Sequence, residues 1–192
     1  TTVVEHLERE LGPAFRRVRR FHSRPRFGAD LGNSVVSNPH GQRPRSWISS
    51  LLKTVMIVGD YWLGWVRLVM PAKVRSTLVM FDRYYHDMLV DPVRYRLPPG
   101  FAACQWLACL VPQPDLWLVL HASAETLIER KGELDHRSAN ALVRSYRELA
   151  ARLPQASLID TDRGLEITLS DAVAAVRLVL ERRAIAGLDG AR

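Results

Sequence analysis

A change from apolar to charged residues marks the part of this sequence best suited to chemistry. Residues 77–81 read Thr-Leu-Val-Met-Phe, and Asp82 and Arg83 follow at once. A carboxylate such as Asp82 can hold Mg²⁺ directly or through water, and an arginine such as Arg83 can bind a phosphate with two parallel N–H donors. The alternative interpretation is a surface Asp-Arg pair that ends a core strand and has no chemical role.

The elements that would position these residues are parallel strands. The run 77–81 has the length of a strand buried on both faces, and ligands in open α/β sheets bind beyond the carboxyl ends of such strands. Further apolar or alternating runs near Val18, Val119 and Leu158 are separated by helical patterns, so the sequence predicts an α/β fold with four parallel strands. Arg24 follows the run at Val18, where it is placed to meet an anion.

Helical periodicity and capping signals account for most of the remaining chain. Ser46 is a plausible N-cap, and Thr168 and Asp171 have capping-box-like spacing. We expect one domain over residues 1–183 and a flexible tail over 184–192. The predicted helices cover residues 1–12, 47–70, 101–111, 123–130, 134–153 and 168–183.

Composition limits the partners and the compartment. The 192 residues carry a formal net charge of +7, and arginine far outnumbers lysine. Since arginine grips phosphates and carboxylates, this balance favours nucleotides, nucleic acid or an anionic membrane surface as partners. The two cysteines, Cys104 and Cys109, form no metal-binding pattern and are typical of a reducing compartment, so we expect a cytoplasmic protein.

The apolar segment 47–70 contains Lys53, Asp60 and Arg67 at seven-residue spacing. These charges argue against a membrane-spanning helix and favour a helix packed on the sheet, with a kink near Gly59 or Gly64. Three tryptophans accompany the basic residues, so a membrane-surface helix is the alternative.

The order of motifs resembles the thymidylate kinase family of P-loop nucleoside monophosphate kinases, in particular its bacterial thymidylate-kinase-like branch. The segment Phe81–Asp87 resembles the family's Asp-Arg-Tyr motif, and Val90–Arg96 resembles the extension found in this branch. The resemblance covers nearly the whole chain. Further matches are Pro112–Leu116, Ala124–Glu125, Arg130–Lys131 and Ile159–Asp160.

The resemblance implies a phosphotransferase that uses ATP and Mg²⁺, on a parallel sheet flanked by helices on both faces. It implies that Asp82 orients the magnesium ion or the acceptor phosphate. It also implies that Arg83 and Arg24 hold that phosphate and that Tyr84 stacks on or hydrogen-bonds the acceptor. Catalysis of this kind is mostly positioning and charge stabilisation.

The resemblance also implies which residues contact ATP. Arg130, Lys131 and Arg137 would close over the transferring phosphoryl group from a lid. Asp160 and Thr161 would border the adenine.

The start of the chain departs from the family pattern. Residues 1–7 resemble the segment just after the lysine of the family's Gly-rich phosphate loop, so Thr1 would stand where the family has its magnesium-binding Ser or Thr. The strand and loop that precede this position in the family are not in the sequence. Because that loop is the main anchor for ATP phosphates, we expect it to be encoded upstream, which reading the gene would test.

The sequence does not decide the identity of the acceptor. The segment His22–Pro25 differs from the Arg-Glu-Pro-Gly pattern of housekeeping thymidylate kinases, so dTMP is only the family default. The alternatives are another small acceptor, such as a sugar in surface polysaccharide synthesis, and a nucleotide-binding module without catalysis. We expect a nucleotide or small phosphorylated acceptor as partner, no nucleic acid and no transmembrane segment. Peripheral membrane contact and a homodimer stay open.

Overall fold

Four short strands alternate with helices in the computed structural model, which describes residues 2–22, 45–131 and 135–189. Each strand lies where the sequence predicts one, and the α/β class is confirmed. The strands are β1 (Arg17–Phe21), β2 (Thr77–Phe81), β3 (Trp117–His121) and β4 (Ala156–Asp160). The helices are α1 (Thr2–Leu11), α2 (Trp47–Gly64), α3 (Met70–Val74), α4 (Asp87–Val90), α5 (Ala103–Ala108), α6 (Ala124–Lys131), α7 (His136–Arg152) and α8 (Leu165–Asp189).

The strands pair in parallel as β1 with β2 and β3 with β4. Within the described ranges they form two two-stranded sheets, so the expected single sheet flanked on both faces is not what the structure shows. In each pair the last residues of the two strands are in register: Phe21 lies opposite Phe81, and His121 lies opposite Asp160. The residues that follow two paired strands therefore emerge at the same sheet edge.

The chain divides into two compact units. The middle unit comprises residues 14–113, and the terminal unit comprises residues 1–13 and 114–192. The sequence-based expectation of one domain over residues 1–183 stays a prediction. No helix in the part of the chain that the structure describes has both the length and the apolar character needed to cross a membrane.

The core of the middle unit forms beneath α2 and around the segment that follows β2. Tyr85 is 1% exposed, and its hydroxyl donates a 3.0 Å hydrogen bond to the backbone carbonyl of Cys104. This bond satisfies a polar group that burial would otherwise penalise. The other buried residues of this core are Val58, Tyr61, Met88, Leu97, Phe101, Cys104, Ala108 and Val111.

The predicted helix over 47–70 is present but interrupted. Ser46 caps α2 by accepting a hydrogen bond from the backbone N–H of Ser49, as predicted. A π-helical segment, Trp65–Val69, follows α2 directly and leads into α3, whose first turn contains Pro71. Proline lacks an N–H donor and clashes with the preceding turn, and a π-helical segment interrupts the regular α-helical ladder at that point. The interruption therefore lies just after Gly64.

The last helix of the terminal unit differs from prediction at both ends. It begins at Leu165, because Gly164 adopts a left-handed φ of +93° that ends the preceding turn. Thr168 lies inside the first turn of α8, where its hydroxyl donates to the carbonyl of Gly164 at 2.8 Å, so it is not the N-cap. The helix continues to Asp189, beyond its predicted end near Arg183, and the flexible tail expected over residues 184–192 stays a prediction.

Candidate functional site

Asp82 and His22 meet where β1 and β2 end. The backbone N–H of Asp82 donates to the carbonyl of Phe21 at 2.8 Å, which extends the strand pairing by one residue. The Asp82 Oδ2 atom lies 3.0 Å from His22 Nδ1. The side chain of Asp82 is 26% exposed and that of His22 is 73% exposed. The carboxylate is thus held at the sheet edge and remains accessible to a ligand.

Arg83 is fixed by a second carboxylate. Its Nη1 donates to Asp87 Oδ2 at 2.9 Å, and both side chains are partly buried. Burial raises the pKa of the Asp87 carboxyl, while the guanidinium of Arg83 opposes that rise. The hydrogen bond from Nη1 helps to set the direction of the guanidinium, which carries five N–H donors in all.

More charges surround this ion pair. Arg94 also acts to lower the pKa of Asp87, and Asp91 acts to raise it. The backbone N–H of Arg94 donates to Asp91 Oδ1 at 3.1 Å, which fixes the turn that carries both residues. The extension after the Asp-Arg-Tyr motif thus brings two further charges close to Asp87.

The side chain of Tyr84 is held by contacts within the protein. Its hydroxyl donates to the carbonyl of Pro112 at 2.5 Å, and its ring centroid lies 4.6 Å from that of Tyr61 and 5.2 Å from that of Phe81. Burial raises the pKa of the Tyr84 hydroxyl well above its usual range. The structure gives Tyr84 a clear packing role, and the acceptor contact assigned to it stays a prediction.

His86 is buried among aromatic rings. It is 6% exposed, and its ring centroid lies 6.2 Å from that of Tyr84 and 6.1 Å from that of Tyr85. Burial lowers the pKa of its imidazole to about 4. At neutral pH the ring is therefore uncharged and acts as a packing element.

The terminal unit brings three of the predicted ATP-side residues together at the end of β4. Arg130, in the last turn of α6, donates from Nη1 to the Thr161 hydroxyl at 3.3 Å and from Nη2 to the Thr161 carbonyl at 3.4 Å. Asp160 ends β4, and its Oδ1 accepts from the backbone N–H of Asp162 at 2.9 Å. These contacts tie the arginine of α6 to the loop after β4.

Asp162 stabilises the start of α6. Its Oδ2 accepts a 2.7 Å hydrogen bond from the backbone N–H of Ser123, just before the helix begins. Hydrogen bonds from the Thr126 hydroxyl and from the Ser123 backbone lower the pKa of the Asp162 carboxyl. The loop after β4 is thereby joined to both ends of α6.

Other predicted site residues are less constrained or lie outside the description. Arg137 is exposed on the first turn of α7. Thr1, Arg24 and the side chain of Lys131 lie outside the described residues, so their assigned roles are untested. Sequence reasoning also missed two partners, His22 and Asp87. The four-residue spacing from Arg83 could have indicated Asp87, whereas the contact of His22 depends on the pairing of β1 with β2.

The fit to magnesium rests on Asp82. The described ranges contain no group of three or more His, Cys, Asp or Glu side chains able to hold a metal ion. Magnesium commonly binds through one or two carboxylates together with water and substrate phosphates. An accessible carboxylate at the end of β2 is therefore compatible with Mg²⁺ brought by a nucleotide.

Comparisons with known proteins find a likeness in structure only. No family model matches the sequence, and no curated protein matches it. Among solved structures the chain is similar to thymidylate kinase from Ehrlichia chaffeensis, with a TM-score of 0.55 and 14% sequence identity. The match covers 93% of this chain and 88% of that one. The likeness shows a kinase-like α/β fold for this chain.

Proposed function

We propose that this protein is an ATP-dependent phosphotransferase similar to thymidylate kinase, which phosphorylates a nucleoside monophosphate, with dTMP as the default acceptor. The observation that carries the proposal is the placement of Asp82 and Arg83 directly after β2 in a kinase-like fold. Ligand sites of α/β folds lie at this end of the strands. The proposal extends the fold to a P-loop NTPase-like sheet flanked by helices, in a cytoplasmic enzyme.

On the acceptor side, the guanidinium of Arg83 holds the acceptor phosphate. The 2.9 Å ion pair with Asp87 limits the rotamers of Arg83, which lowers the entropy lost when the phosphate binds. Arg24 adds a second cation to the same phosphate. Tyr84 contributes its ring at most, since its hydroxyl is bound to Pro112.

On the donor side, ATP supplies the phosphoryl group that is transferred. Arg130 neutralises charge on that group, and the carbonyl and hydroxyl of Thr161 hold the guanidinium in place. Lys131 and Arg137 add positive charge from the same region of the sequence. Asp160 and Thr161 border the adenine.

Magnesium would be held by Asp82 and by Thr1. The ion supplies charge neutralisation for the phosphates when it is bound. The contact with His22 keeps the Asp82 carboxylate directed along the strand ends.

A second candidate acceptor is a sugar hydroxyl, and the 3.0 Å contact between Asp82 and His22 favours it. A hydroxyl acceptor must lose its proton during phosphoryl transfer, whereas a phosphate acceptor is already ionised. A carboxylate at hydrogen-bond distance from an imidazole is suited to accept that proton. This candidate gives Asp82 the role of base and retains Arg83 as a contact to the substrate.

The test is a substrate screen with the full-length gene product, ATP and Mg²⁺. The acceptor panel contains dTMP, the other nucleoside monophosphates, free sugars and sugar phosphates, and ³¹P NMR identifies the product. Transfer to a nucleotide supports the first candidate, and transfer to a sugar supports the second. ATP binding without transfer to any acceptor would contradict both and favour a nucleotide-binding module without catalysis.

A further inference from the structure

Positive charge is concentrated in the middle unit around the starts of β1 and β2. Residues 14–22 and 65–81 together contain seven Arg or Lys residues and no Asp or Glu. Five of these cations are exposed and lie at or near the start of one of the two strands, and we call them the basic cluster. They are Arg16, Arg17, Arg19, Lys73 and Arg75.

The backbone holds the two halves of the basic cluster side by side. Arg17 lies opposite Thr77 in the strand pairing, and the N–H of Arg16 donates to the carbonyl of Ser76 at 3.0 Å. Ser76 has a left-handed φ of +51° where the chain passes from α3 into β2. The turn before β2 is therefore fixed to the start of β1, which brings the backbone of Arg75 next to that of Arg16.

The arginines of the basic cluster are not neutralised by nearby carboxylates. Within residues 2–22, 45–131 and 135–189, no ion pair or side-chain hydrogen bond joins any of these four arginines to another residue. Arg17 and Arg19 lie on the same face of the strand pair, because side chains alternate along a strand. Like charges at this spacing repel one another, and an anionic partner would relieve that repulsion.

A role in blocking strand pairing accounts for only part of the basic cluster. Charged side chains on an edge strand prevent it from pairing with other strands, which explains cations along β1. It does not explain Lys73 and Arg75, which lie in α3 and in the turn after it. Clusters of about four to eight Lys or Arg residues are typical of surfaces that bind anionic lipids.

A strongly exposed apolar residue lies between two of these cations in the sequence. Val74 follows Lys73 and precedes Arg75. It is 85% exposed, the largest exposed fraction of any large apolar residue in the part of the chain that the structure describes. Surfaces that bind membranes combine basic residues at the headgroups with apolar residues that enter the boundary between headgroups and acyl chains. Val74 gives the basic cluster this combination.

Nucleic acid fits the basic cluster less well. Proteins that bind single strands stack the bases on accessible aromatic rings. The aromatic residue of β1, Phe21, is instead stacked on Phe81, with ring centroids 5.1 Å apart. Contacts to a phosphate backbone are made by cations and polar groups, so they give an exposed valine nothing to contact.

We propose that the basic cluster and Val74 form a docking surface for an anionic lipid bilayer. The cations contact the headgroup phosphates, and Val74 enters the boundary between headgroups and acyl chains. The candidate site lies at the other end of the same strands, since Arg17 begins β1 and His22 follows its last residue. At about 3.3 Å per residue, this strand separates the docking surface from the candidate site by roughly 15 Å. The surface uses none of the proposed site residues, so it does not depend on the proposed reaction.

The test is co-sedimentation of the full-length gene product with lipid vesicles. One set contains phosphatidylcholine alone, and the other contains phosphatidylcholine with about 30% phosphatidylserine. Binding in about 0.1 M salt is expected only with the anionic vesicles. It is expected to weaken at least about tenfold in about 1 M salt, because the screening length falls from about 10 Å to about 3 Å.

Substitutions locate the surface. Each cation near an anionic leaflet contributes about fivefold to the affinity, so the triple variant Arg16→Gln, Arg17→Gln, Arg75→Gln is expected to bind about 100-fold more weakly. Each single substitution is expected to cost about fivefold, which provides a test if the triple variant is unstable. Val74→Ser is expected to bind vesicles about tenfold more weakly, and to leave any binding to duplex DNA unchanged.

The matched control removes the same amount of charge from the terminal unit. Arg144, Arg147 and Arg152 are exposed on α7. The triple variant Arg144→Gln, Arg147→Gln, Arg152→Gln is expected to bind vesicles within about twofold of wild type, because charges further than a screening length from the bilayer contribute little. Circular dichroism checks that every variant is folded.

Three results would overturn the proposal. The first is the absence of binding to anionic vesicles, which would leave the basic cluster with the role of protecting the strand edge. The second is an equal loss in both triple variants, which would show that net charge alone drives binding. The third is vesicle binding that survives both the triple substitution in the basic cluster and Val74→Ser. Tighter binding to duplex DNA than to vesicles, through the same arginines, would replace the bilayer with nucleic acid.

Discussion

Arg83 donates a 2.9 Å hydrogen bond to Asp87, four residues further along the chain, and both side chains are partly buried. The pair joins the residue proposed to hold the acceptor phosphate to a carboxylate without an assigned role in the sequence motif. Asp87 therefore acts as a positioning residue for Arg83.

Removal of Arg83 or of its partner should weaken the acceptor site to different extents. Arg83→Ala is expected to lower kcat/KM for the acceptor at least 100-fold, because it deletes the phosphate contact. Asp87→Asn keeps the shape and removes the charge, so it should raise the KM for the acceptor by about tenfold and change kcat less.

Steady-state kinetics with the acceptor found in the substrate screen measures both effects. Arg75→Ala removes an exposed arginine just after α3 and serves as the control. Equal losses in Arg83→Ala and Arg75→Ala would mean that general charge, and not the position at the end of β2, supports activity.

Stability should fall in mild acid because of His86. Burial lowers the pKa of its imidazole to about 4, from 6.5 in the unfolded chain. The unfolded state therefore binds the proton first, so the free energy of unfolding decreases as pH falls from 6.5 towards 4, by roughly 3 kcal/mol at most. Urea unfolding of wild type and His86→Gln at pH 7 and pH 4.5 measures this contribution.

Asp87 works in the other direction, since its raised pKa makes the native state bind its proton first, which favours the native state in acid. Because Asp87 is present in both wild type and His86→Gln, the comparison between the two proteins isolates the contribution of His86. The expected result is a smaller acid-induced loss in His86→Gln than in wild type. An identical loss in both proteins would show that His86 is accessible to protons in the folded state.

Tyr84→Phe separates packing from catalysis. The hydroxyl of Tyr84 donates to the carbonyl of Pro112, so its removal should cost about 1–2 kcal/mol of unfolding free energy. Activity at a temperature where the variant is folded should stay within about twofold of wild type, since no role is left for the hydroxyl in the reaction. A large loss of kcat with unchanged stability would show instead that the Tyr84 hydroxyl takes part in the reaction.

The sequence predicts best where the signal is local. Each strand is a short run of five residues, such as 77–81, whose pattern of residue types is visible in the sequence itself. The predicted start of α8 is wrong because Thr168, which looks like an N-cap, donates its hydroxyl to the carbonyl four residues earlier inside the helix. A cap and an internal threonine cannot be distinguished until the backbone before them is known.

Contacts between distant segments are the least predictable part of the candidate site. His22 reaches Asp82 only because β1 and β2 pair in register with their last residues opposite each other. The contact of Arg130 with Thr161 likewise joins two segments that are 31 residues apart. The buried face of α2 is hard to predict for another reason. The helix has more apolar residues than its inner face can bury, so the hydrophobic pattern alone does not identify that face.

Arg130→Ala tests the donor side. Loss of this guanidinium should lower kcat by about 100-fold or more and leave the KM for the acceptor unchanged, because it acts on the transferring phosphoryl group. Arg144→Ala, which removes an exposed arginine of α7, is the control and should have little effect. An increase in acceptor KM without a change in kcat would move Arg130 to substrate binding.

Phosphoryl transfer itself is the most direct test of the central claim. The full-length gene product is incubated with ATP labelled at the γ-phosphate, Mg²⁺ and dTMP, with Asp82→Asn and Arg83→Ala in parallel. The expected result is labelled dTDP from wild type and a loss of at least about 100-fold in both variants. Absence of transfer to dTMP and to every other acceptor in the panel, from protein shown to be folded and to bind ATP, would contradict the claim.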